Sequence, residues 1–325
     1  MAIDFAGLQK QRRSDMRPFL FFLIHLFLIS VFSLGLFGQK NEKPRIAFSF
    51  DDGSVRDYPG YRHQDWNRRL LANLATYKIR TVLFVKGAAL ENEQGKRIIR
   101  SWDQSGHLIG NHSYQHLYFH NRKVSLKQFE SDMLKNEHFI RGYKHFVKLF
   151  RFPYLKEGNS IQKRDGFRGF LKQQGYRNAH VTVDASDWYI DQRLCKRLRR
   201  DPKADLSAYR EYYVSHIIDR ARFYDRLAFK LTKRRITHVL LLHHNLSAAL
   251  FLKDLIQHFR AIDWETVDID IAYGDQIYKR EPRILPAGES LVWALAKESG
   301  AYDSILRYPA EGSRYEKKKM DRLGL

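Results

Sequence analysis

The sequence predicts an α/β protein whose parallel strands form either a barrel or an open sheet. Short apolar runs of strand length alternate with longer stretches in which apolar residues recur at helical spacing, over residues 45–269. A helix between consecutive strands implies parallel pairing through right-handed crossovers. Hydrophobic residues make up 44% of the 325-residue chain, which is enough for a sizeable core and argues against a disordered protein.

The order of these elements defines the predicted organisation of the chain. The predicted strands cover 45–50, 81–85, 107–110, 147–152, 180–183, 237–242 and 265–269, because each of these runs is apolar and short. The predicted helices cover 66–77, 96–104, 125–142, 158–174, 206–231 and 248–259. We therefore expect a short linker at 39–44, then a barrel domain at 45–280.

A C-terminal extension, 281–325, follows this domain. It contains one further predicted helix at 289–298 and a lysine-rich end, and we expect it to pack on the outside of the barrel. The chain is long enough for one large domain or two small ones, and the extension does not have the pattern of a second domain.

The N-terminal residues 1–38 have the pattern of an export signal. Four basic residues, Lys10, Arg12, Arg13 and Arg17, precede a mainly apolar stretch that is long enough to span a bilayer as a helix. The pattern is equally typical of a cleaved signal peptide and of an uncleaved signal anchor in the membrane, and a buried core helix is the remaining interpretation. We expect an exported protein, either periplasmic or extracellular or anchored in the membrane and facing outwards.

The charge of the chain predicts attraction to polyanions. Lysine and arginine total 57 against 36 acidic residues, which leaves a formal charge of +21. The stretch 189–235, a basic helical insertion, contains 14 basic and 6 acidic residues and so carries +8. Such a stretch is either a solvated face or a surface for an anionic envelope polymer. Nucleic acid is not an expected partner, since the chain has no nucleic-acid-binding motif and an exported protein meets other polyanions first.

Two adjacent carboxylates, Asp51 and Asp52, stand at the end of the first predicted strand, directly before Gly53. Side chains alternate along a strand, so both carboxylates enter one pocket only if the chain turns there, as Gly53 permits. The same three residues also have the composition of an ordinary surface turn.

Two histidines, His112 and His116, follow the third predicted strand at a spacing of four residues. We expect them on one face of a helical turn, from which they can bind one metal ion. Together with Asp52 they form a set of two imidazoles and one carboxylate, which leaves a coordination position open for catalysis. The chain has 14 histidines, so the spacing alone is a weak signal.

Polar residues also follow three later strands. Arg151 can pair with a carboxylate and the backbone N–H of Tyr154 can bind an oxyanion, although a strand end with a packing tyrosine has the same pattern. An aspartate-rich stretch at 184–188 is either part of the site or a helix cap. His243 stands where the strand 237–242 ends, a place where histidine is often structural.

These five stretches, in this order, resemble the motifs of the polysaccharide deacetylase family, the NodB homology domain of carbohydrate esterase family 4. The matching residues are Ser49–Gly53, His112–His116, Arg151–Tyr154, Asp184–Trp188 and Leu241–His243. The resemblance covers roughly residues 44–275 and implies a distorted (β/α) barrel with its site at the carboxyl ends of the strands. His244 stands where this family often has an aspartate.

The resemblance also implies a role for each matched residue. These are Asp51 as catalytic base, Arg151 as the arginine that orients it, Asp52, His112 and His116 as metal ligands, Tyr154 as the oxyanion position, His243 as general acid, Asp187 as the carboxylate that tunes it, and Trp188 and Leu241 as residues that shape its pocket. The implied cofactor is a divalent metal, first of all zinc, with Co²⁺, Ni²⁺ or Mn²⁺ as alternatives.

The implied reaction is hydrolysis of N-acetyl groups on an N-acetylglucosamine-type polysaccharide, such as peptidoglycan or a chitin-like envelope glycan, with release of acetate. The sequence leaves three alternatives open: an O-acetyl esterase on xylan-like polymers, an amidase on a smaller substrate, and a non-catalytic carbohydrate-binding barrel.

Overall fold

The structure, a computed structural model, describes residues 42–325. The predicted export signal at 1–38 lies outside the described residues, as does the first half of the predicted linker at 39–44. Within the part of the chain that is described, no helix combines the length and the apolar character needed to cross a membrane.

A parallel sheet forms the centre of the fold. The strands, in chain order, are β1 (Arg45–Asp52), β2 (Val82–Val85), β3 (Leu108–Asn111), β4 (Phe146–Phe150), β5 (Lys156–Gly158), β6 (Arg177–Asn178), β7 (Thr237–His243), β8 (Glu265–Thr266) and β9 (Ala287–Gly288). The central strands are hydrogen-bonded in the order β6-β4-β3-β2-β1-β7, with β8 beside β1, while β5 and β9 form a separate antiparallel pair.

The chain after β6 closes this sheet into a distorted barrel. Ala179 donates its N–H to the Phe150 carbonyl on β4 at 2.7 Å, whereas Val183 pairs with Leu240 on β7. Residues 177–183 therefore link the two edges of the sheet. The prediction of a strand at 180–183 is wrong. Residues 177–183 pass from β4 to β7, and they pair regularly with β4 only at Arg177 and Asn178.

Helices connect the strands. They are α1 (His63–Thr76), α2 (Gly87–Leu90), α3 (Glu93–Gln104), α4 (Leu126–Ile140), α5 (Ile161–Gln173), α6 (Asp187–Arg200), α7 (Ser207–Thr232), α8 (Leu246–Ala261), α9 (Ile269–Tyr273), α10 (Leu291–Ser299) and α11 (Ser313–Arg322), with 3₁₀ turns at Pro153–Leu155, Gln276–Lys279 and Asp303–Ile305. Asn92, Ser125, Ser160, Asn245 and Ser290 begin their helices by accepting a backbone N–H three residues later.

Two of these elements differ from the prediction. The strand predicted at 265–269 ends at Thr266, because Asp268 and Ile269 bind the backbone of Arg80 and the chain turns into α9. The C-terminal extension contains a second helix, α11, whose strongly charged sequence concealed the few residues that it buries.

The inner faces of the strands lead towards one polar end of the barrel. In β1, the apolar residues at positions 46, 48 and 50 pack between the sheet and its helices, whereas Ala47 belongs to a cluster inside the barrel. Because side chains alternate along a strand, Ser49 and Asp51 share the inner face with Ala47. Ile269 and Tyr273 of α9 fill the inside below them.

The C-terminal extension is attached to the barrel through β9. Glu289, directly after this strand, donates its N–H to the Leu155 carbonyl at 2.9 Å. At Gly288, with φ 127°, a Cβ atom would lie 2.0 Å from the same carbonyl oxygen, so this close approach requires glycine. Trp293 of α10 is buried in the large cluster. The extension therefore contributes to the core as well as to the surface.

Candidate active site

The turn after β1 brings Asp51 and Asp52 to one cleft. Asp52 has φ 75° and Gly53 has φ 87°, and Gly53 donates its N–H to the Asp51 carbonyl at 3.1 Å. A Cβ atom on Gly53 would lie 2.3 Å from a terminal methyl carbon of Leu90, and the positive φ would strain any other residue there. His112 Nε2 lies 3.7 Å from a carboxylate oxygen of each aspartate. The turn expected from the sequence is present, and both carboxylates reach the same histidine.

Asp52, His112 and His116 converge on one point. The two Nε2 atoms are 3.1 Å apart, and Asp52 Oδ1 lies 3.5 Å from His116 Nε2 and 3.7 Å from His112 Nε2. Within the described structure, Asp52 Oδ1 is buried without a hydrogen-bond partner. An uncompensated buried carboxylate oxygen that faces two imidazole nitrogens fits a metal-ligand set, so these three residues are candidate metal ligands.

The protonation of the two histidines suits this assignment. His112 Nδ1 donates to the backbone carbonyl of Arg151 at 2.8 Å. The lone pair is therefore on Nε2, the atom that faces Asp52 and His116. Burial lowers the pKa of His112 well below its usual value and the pKa of His116 to about 4. Both imidazoles are therefore neutral near pH 7, which is the form that binds a metal.

The loop that carries these histidines is not the helical turn that we expected from their spacing. Ser113 has φ 61° and His116 has φ 58°. Side chains bind the backbone in place of helical hydrogen bonds: Asn111 accepts the N–H of Ser113 at 2.9 Å, and Asp132 accepts that of Gln115 at 2.9 Å. The prediction of a helical turn is wrong, although the loop brings the two imidazoles together.

Asp51 is held in place by Arg151. Nη1 of this arginine donates to Asp51 Oδ1 at 3.0 Å and to Oδ2 at 3.2 Å. Its Nη2 donates to Ser49 Oγ at 3.2 Å and to the Tyr273 hydroxyl at 3.1 Å, and its Nε donates to the Ala179 carbonyl at 2.5 Å. Arg151 is 1% exposed, and each of the three guanidinium nitrogens donates at least one hydrogen bond.

This setting changes the basicity of Asp51. Burial raises the pKa of its carboxyl group to about 6, although the charge of Arg151 opposes the shift. The carboxylate is therefore ionised at neutral pH and accepts a proton more readily than an exposed aspartate does.

His243 stands on the strand next to Asp51. The two residues are paired across β7 and β1, and His243 Nδ1 lies 2.7 Å from Asp187 Oδ1. The buried Asp187 carboxylate also accepts the backbone N–H of His243 at 2.9 Å and the side-chain amide of Asn245 at 3.3 Å. Burial disfavours a charged imidazole, but Asp187, together with Asp52 and Asp51, outweighs it and raises the pKa of His243 to about 10.

His244 has a different environment. Its ring packs against Trp66 and Trp102, with centroids 4.6 and 5.7 Å away, and its Nε2 lies 2.9 Å from Asn67 Oδ1. Burial lowers its pKa to about 3. His244 is therefore a neutral core residue. Of these two adjacent histidines, His243 is the one that binds the Asp187 carboxylate.

The three residues expected to contact substrate or to shape its pocket differ in exposure. Tyr154 is 54% exposed and Trp188 is 41% exposed, whereas Leu241 is buried inside the barrel opposite Ser49. Tyr154 has φ 56°, and its ring packs on His116 with centroids 4.5 Å apart. Tyr154 and Trp188 are therefore accessible to a ligand, whereas Leu241 belongs to the cluster inside the barrel.

Sequence reasoning missed part of the support around Arg151. Tyr273 lies 122 residues further along the chain and reaches the guanidinium only because α9 fills the inside of the barrel. The Ala179 carbonyl arrives through the irregular segment that closes the sheet. Neither residue belongs to a polar motif. Asn245, by contrast, directly follows the two histidines and could have been found from its position.

Residues 38–178 match the family model described as polysaccharide deacetylase. This stretch is therefore similar to the polysaccharide deacetylase family. A peptidoglycan-N-acetylglucosamine deacetylase from Bacillus cereus is 24% identical to this chain over 154 residues, which make up 47% of this chain and 49% of that protein. The chain thus spans about half the length of the curated relative that it matches.

Solved structures resemble this chain in fold. A mutant of a CE4 family pseudoenzyme from Bacillus anthracis, with restored enzymatic activity, matches with a TM-score of 0.50 and 16% identity over 71% of this chain and 68% of that chain. The Bc1960 peptidoglycan N-acetylglucosamine deacetylase matches with a TM-score of 0.50 and 18% identity over 71% of this chain and 88% of that chain. The predicted distorted barrel is confirmed.

Proposed function

We propose that this chain is a metal-dependent hydrolase that removes N-acetyl groups from an N-acetylglucosamine-type polysaccharide and releases acetate. The position of Asp51 carries the proposal. This buried carboxylate is bound by Arg151, lies 3.7 Å from His112 of the candidate metal group, and is paired across the sheet with His243. A candidate base, a candidate metal-ligand set and a candidate acid therefore lie close together. Hydrolysis of an amide bond uses these three kinds of group.

We assign the metal to Asp52, His112 and His116, and we propose zinc as the ion. Two neutral imidazoles and one carboxylate suit this ion and leave room for substrate. When bound, a divalent ion supplies Lewis-acid polarisation of the acyl carbonyl and makes water more acidic. Asp51 is held by Arg151 and is not one of the assigned metal ligands, so its carboxylate can accept a proton as the base.

The chain's own groups then have distinct tasks. Asp51 accepts the proton of the attacking water, and Arg151 keeps its carboxylate in position. The backbone N–H of Tyr154 donates to the former carbonyl oxygen, which becomes an oxyanion when water adds to the acyl carbon. Because Nδ1 of His243 is bound by Asp187, the Nε2 proton is the one that this imidazolium can transfer to the departing amine. The products are acetate and a free amino sugar.

The protonated state of His243 favours an amide over an ester as the substrate. An amine must be protonated before it leaves, whereas an alcohol is a better leaving group and depends less on an acid. Asp187 raises the pKa of His243 to about 10, so the acid is charged at neutral pH. A non-catalytic barrel would require neither this acid nor a buried, oriented Asp51.

The polymer and the location are further parts of the proposal. The name of the Bacillus cereus relative and the accessible rings of Tyr154 and Trp188 support a glycan of the N-acetylglucosamine type as substrate. The hydrophobic pattern of residues 1–38 supports export. Exposed cations on α6, among them Lys196 and Arg200, support contact with an anionic envelope polymer.

Acetate release tests the proposal directly. The zinc-loaded protein would be incubated with N-acetylglucosamine oligomers, peptidoglycan and acetylated xylan, and acetate would be measured enzymatically. We expect release from the first two substrates and little from xylan. The His112→Ala variant should be inactive, while His258→Ala, a change at an exposed histidine on α8, should behave as the parent. Release from xylan alone would reassign the protein as an O-acetyl esterase.

A further inference from the structure

Two exposed tyrosines lie side by side next to the candidate metal group. Tyr118 is 43% exposed, and its ring centroid lies 5.3 Å from that of Tyr154 at an interplanar angle of 77°. Tyr154 in turn packs on His116. Single exposed aromatic residues are ordinary, but here two adjoining rings extend from a metal-ligand histidine towards solvent.

The loop holds Tyr118 firmly although its ring is exposed. The next residue, Phe119, is fully buried and stacks on Phe129 with centroids 4.0 Å apart. His120 binds the Ala287 carbonyl through Nε2 at 2.7 Å, and Lys163 donates to the Phe119 carbonyl at 3.0 Å. The ring is therefore presented to solvent by a backbone that is fixed by the residues directly after it.

We propose that Tyr118 and Tyr154 form a stacking surface for a pyranose ring adjacent to the sugar that carries the scissile acetamide. This inference rests on the proposed function, and it adds that the sugar next to the one that is deacetylated contributes to binding through these two tyrosines. The two rings are roughly perpendicular, so one of them can pack against the face of a pyranose ring while the other contacts its edge.

The chemistry of both partners suits this contact. A pyranose ring presents a face of C–H groups, and these pack well on the electron-rich face of an aromatic ring. Its hydroxyl groups lie around the edge of the ring, where water can bind them. Because the loop is already ordered, the ligand does not have to fix the tyrosine on binding, and less entropy is lost.

The experiment compares substrates of different length. Acetate release by the zinc-loaded parent and by Tyr118→Ala would be measured with the monomer, dimer and tetramer of N-acetylglucosamine. We expect Tyr118→Ala to raise the KM for the tetramer about tenfold, with kcat within about twofold of the parent and no change for the monomer. Tyr118→Phe keeps the ring and should retain the parent KM.

Phe229→Ala is the matched control. Phe229 is 40% exposed and lies near the end of α7, the helix that leads into the beginning of β7, so it is at the opposite end of the barrel from the site. This variant should have the parent KM at every length. A KM for the tetramer that is the same in Tyr118→Ala and the parent would overturn the stacking surface.

Binding separates this inference from the proposed function. If the parent releases no acetate from any of these sugars, the proposed function fails, and calorimetry with the tetramer then decides the stacking surface alone. Weaker binding by Tyr118→Ala than by the parent would support the surface. Equal binding by both proteins, or no binding by the parent, would overturn it.

Discussion

Arg151 donates from a single nitrogen, Nη1, to both carboxylate oxygens of Asp51, at 3.0 and 3.2 Å. Its second terminal nitrogen is bound to Ser49 and Tyr273, so the guanidinium cannot rotate without breaking other hydrogen bonds. The base is therefore positioned by groups inside the barrel. The Arg151 side chain makes these contacts to Asp51, Ser49, Tyr273 and Ala179 and none to the side chains of the candidate metal ligands, so we expect Asp51 to keep its position when the metal is removed.

Replacing Arg151 by lysine tests this arrangement. A lysine ammonium keeps the charge but cannot reach Asp51, Ser49, Tyr273 and the Ala179 carbonyl together. We expect Arg151→Lys to reduce kcat/KM at least about a hundredfold and to lower the free energy of unfolding by about 2 kcal/mol. Steady-state kinetics and urea denaturation would measure the two effects.

The control for this variant is Arg222→Lys, at an exposed position on α7. It should leave both quantities close to those of the parent. Activity within threefold of the parent in Arg151→Lys would mean that the orientation of Asp51 does not depend on the guanidinium.

Removing the Tyr273 hydroxyl is a milder change at the same place. Tyr273→Phe leaves one donor of Arg151 without its partner, which costs about 1 kcal/mol and loosens the guanidinium. We expect kcat to fall about three- to tenfold, with KM and metal content unchanged. Tyr278→Phe loses a hydroxyl that binds the Thr237 carbonyl at 2.9 Å, and should reduce stability without lowering kcat. Equal loss of kcat in both variants would contradict a positioning role for Tyr273.

The pair of His243 and Asp187 predicts a dependence of stability on pH. The pKa of His243 rises from its usual 6.5 to about 10 in the folded protein, because Asp187, with Asp52 and Asp51, outweighs the effect of burial. The folded state therefore binds more protons than the unfolded state between these values. The stabilisation of the folded state by protonated His243 is complete below pH 6.5 and is lost as the pH rises towards 10. We expect the free energy of unfolding to fall by up to about 1.4 kcal/mol per pH unit in this window.

Urea denaturation of the metal-free protein at a series of pH values would measure this slope. The metal-free form is required because the negative charge of Asp52 also favours protonated His243. His243→Gln should flatten the dependence, and His258→Gln, at an exposed histidine, should keep it. An unchanged slope in His243→Gln would show that another group is responsible.

Much of the candidate site could be predicted from the sequence, because its residues stand where strands end. Asp51, Asp52 and His243 follow strands that are recognisable from their apolar runs, and the carboxyl ends of parallel strands meet at one end of a barrel. Chemistry then restricts the choice, since two histidines and a carboxylate are a familiar ligand set. Local residue type and order were sufficient for these positions.

The remaining parts depend on contacts between distant segments. The loop of His112 and His116 departs from a helical turn because the side chains of Asn111 and Asp132 bind its backbone, and spacing alone does not reveal this. Tyr273 joins the site only after the barrel has closed around α9. These features are properties of the assembled barrel, whereas the strand ends are properties of short stretches.

The central claim is that Asp51 and Asp52 have separate tasks, one as base and the other as metal ligand. The Asp51→Asn variant tests it when zinc content and acetate release from an N-acetylglucosamine tetramer are measured on the same sample. Our account predicts one zinc ion per chain, as in the parent, together with acetate release reduced at least about a hundredfold. Acetate release at the parent rate, or loss of the zinc ion from this variant, would contradict it.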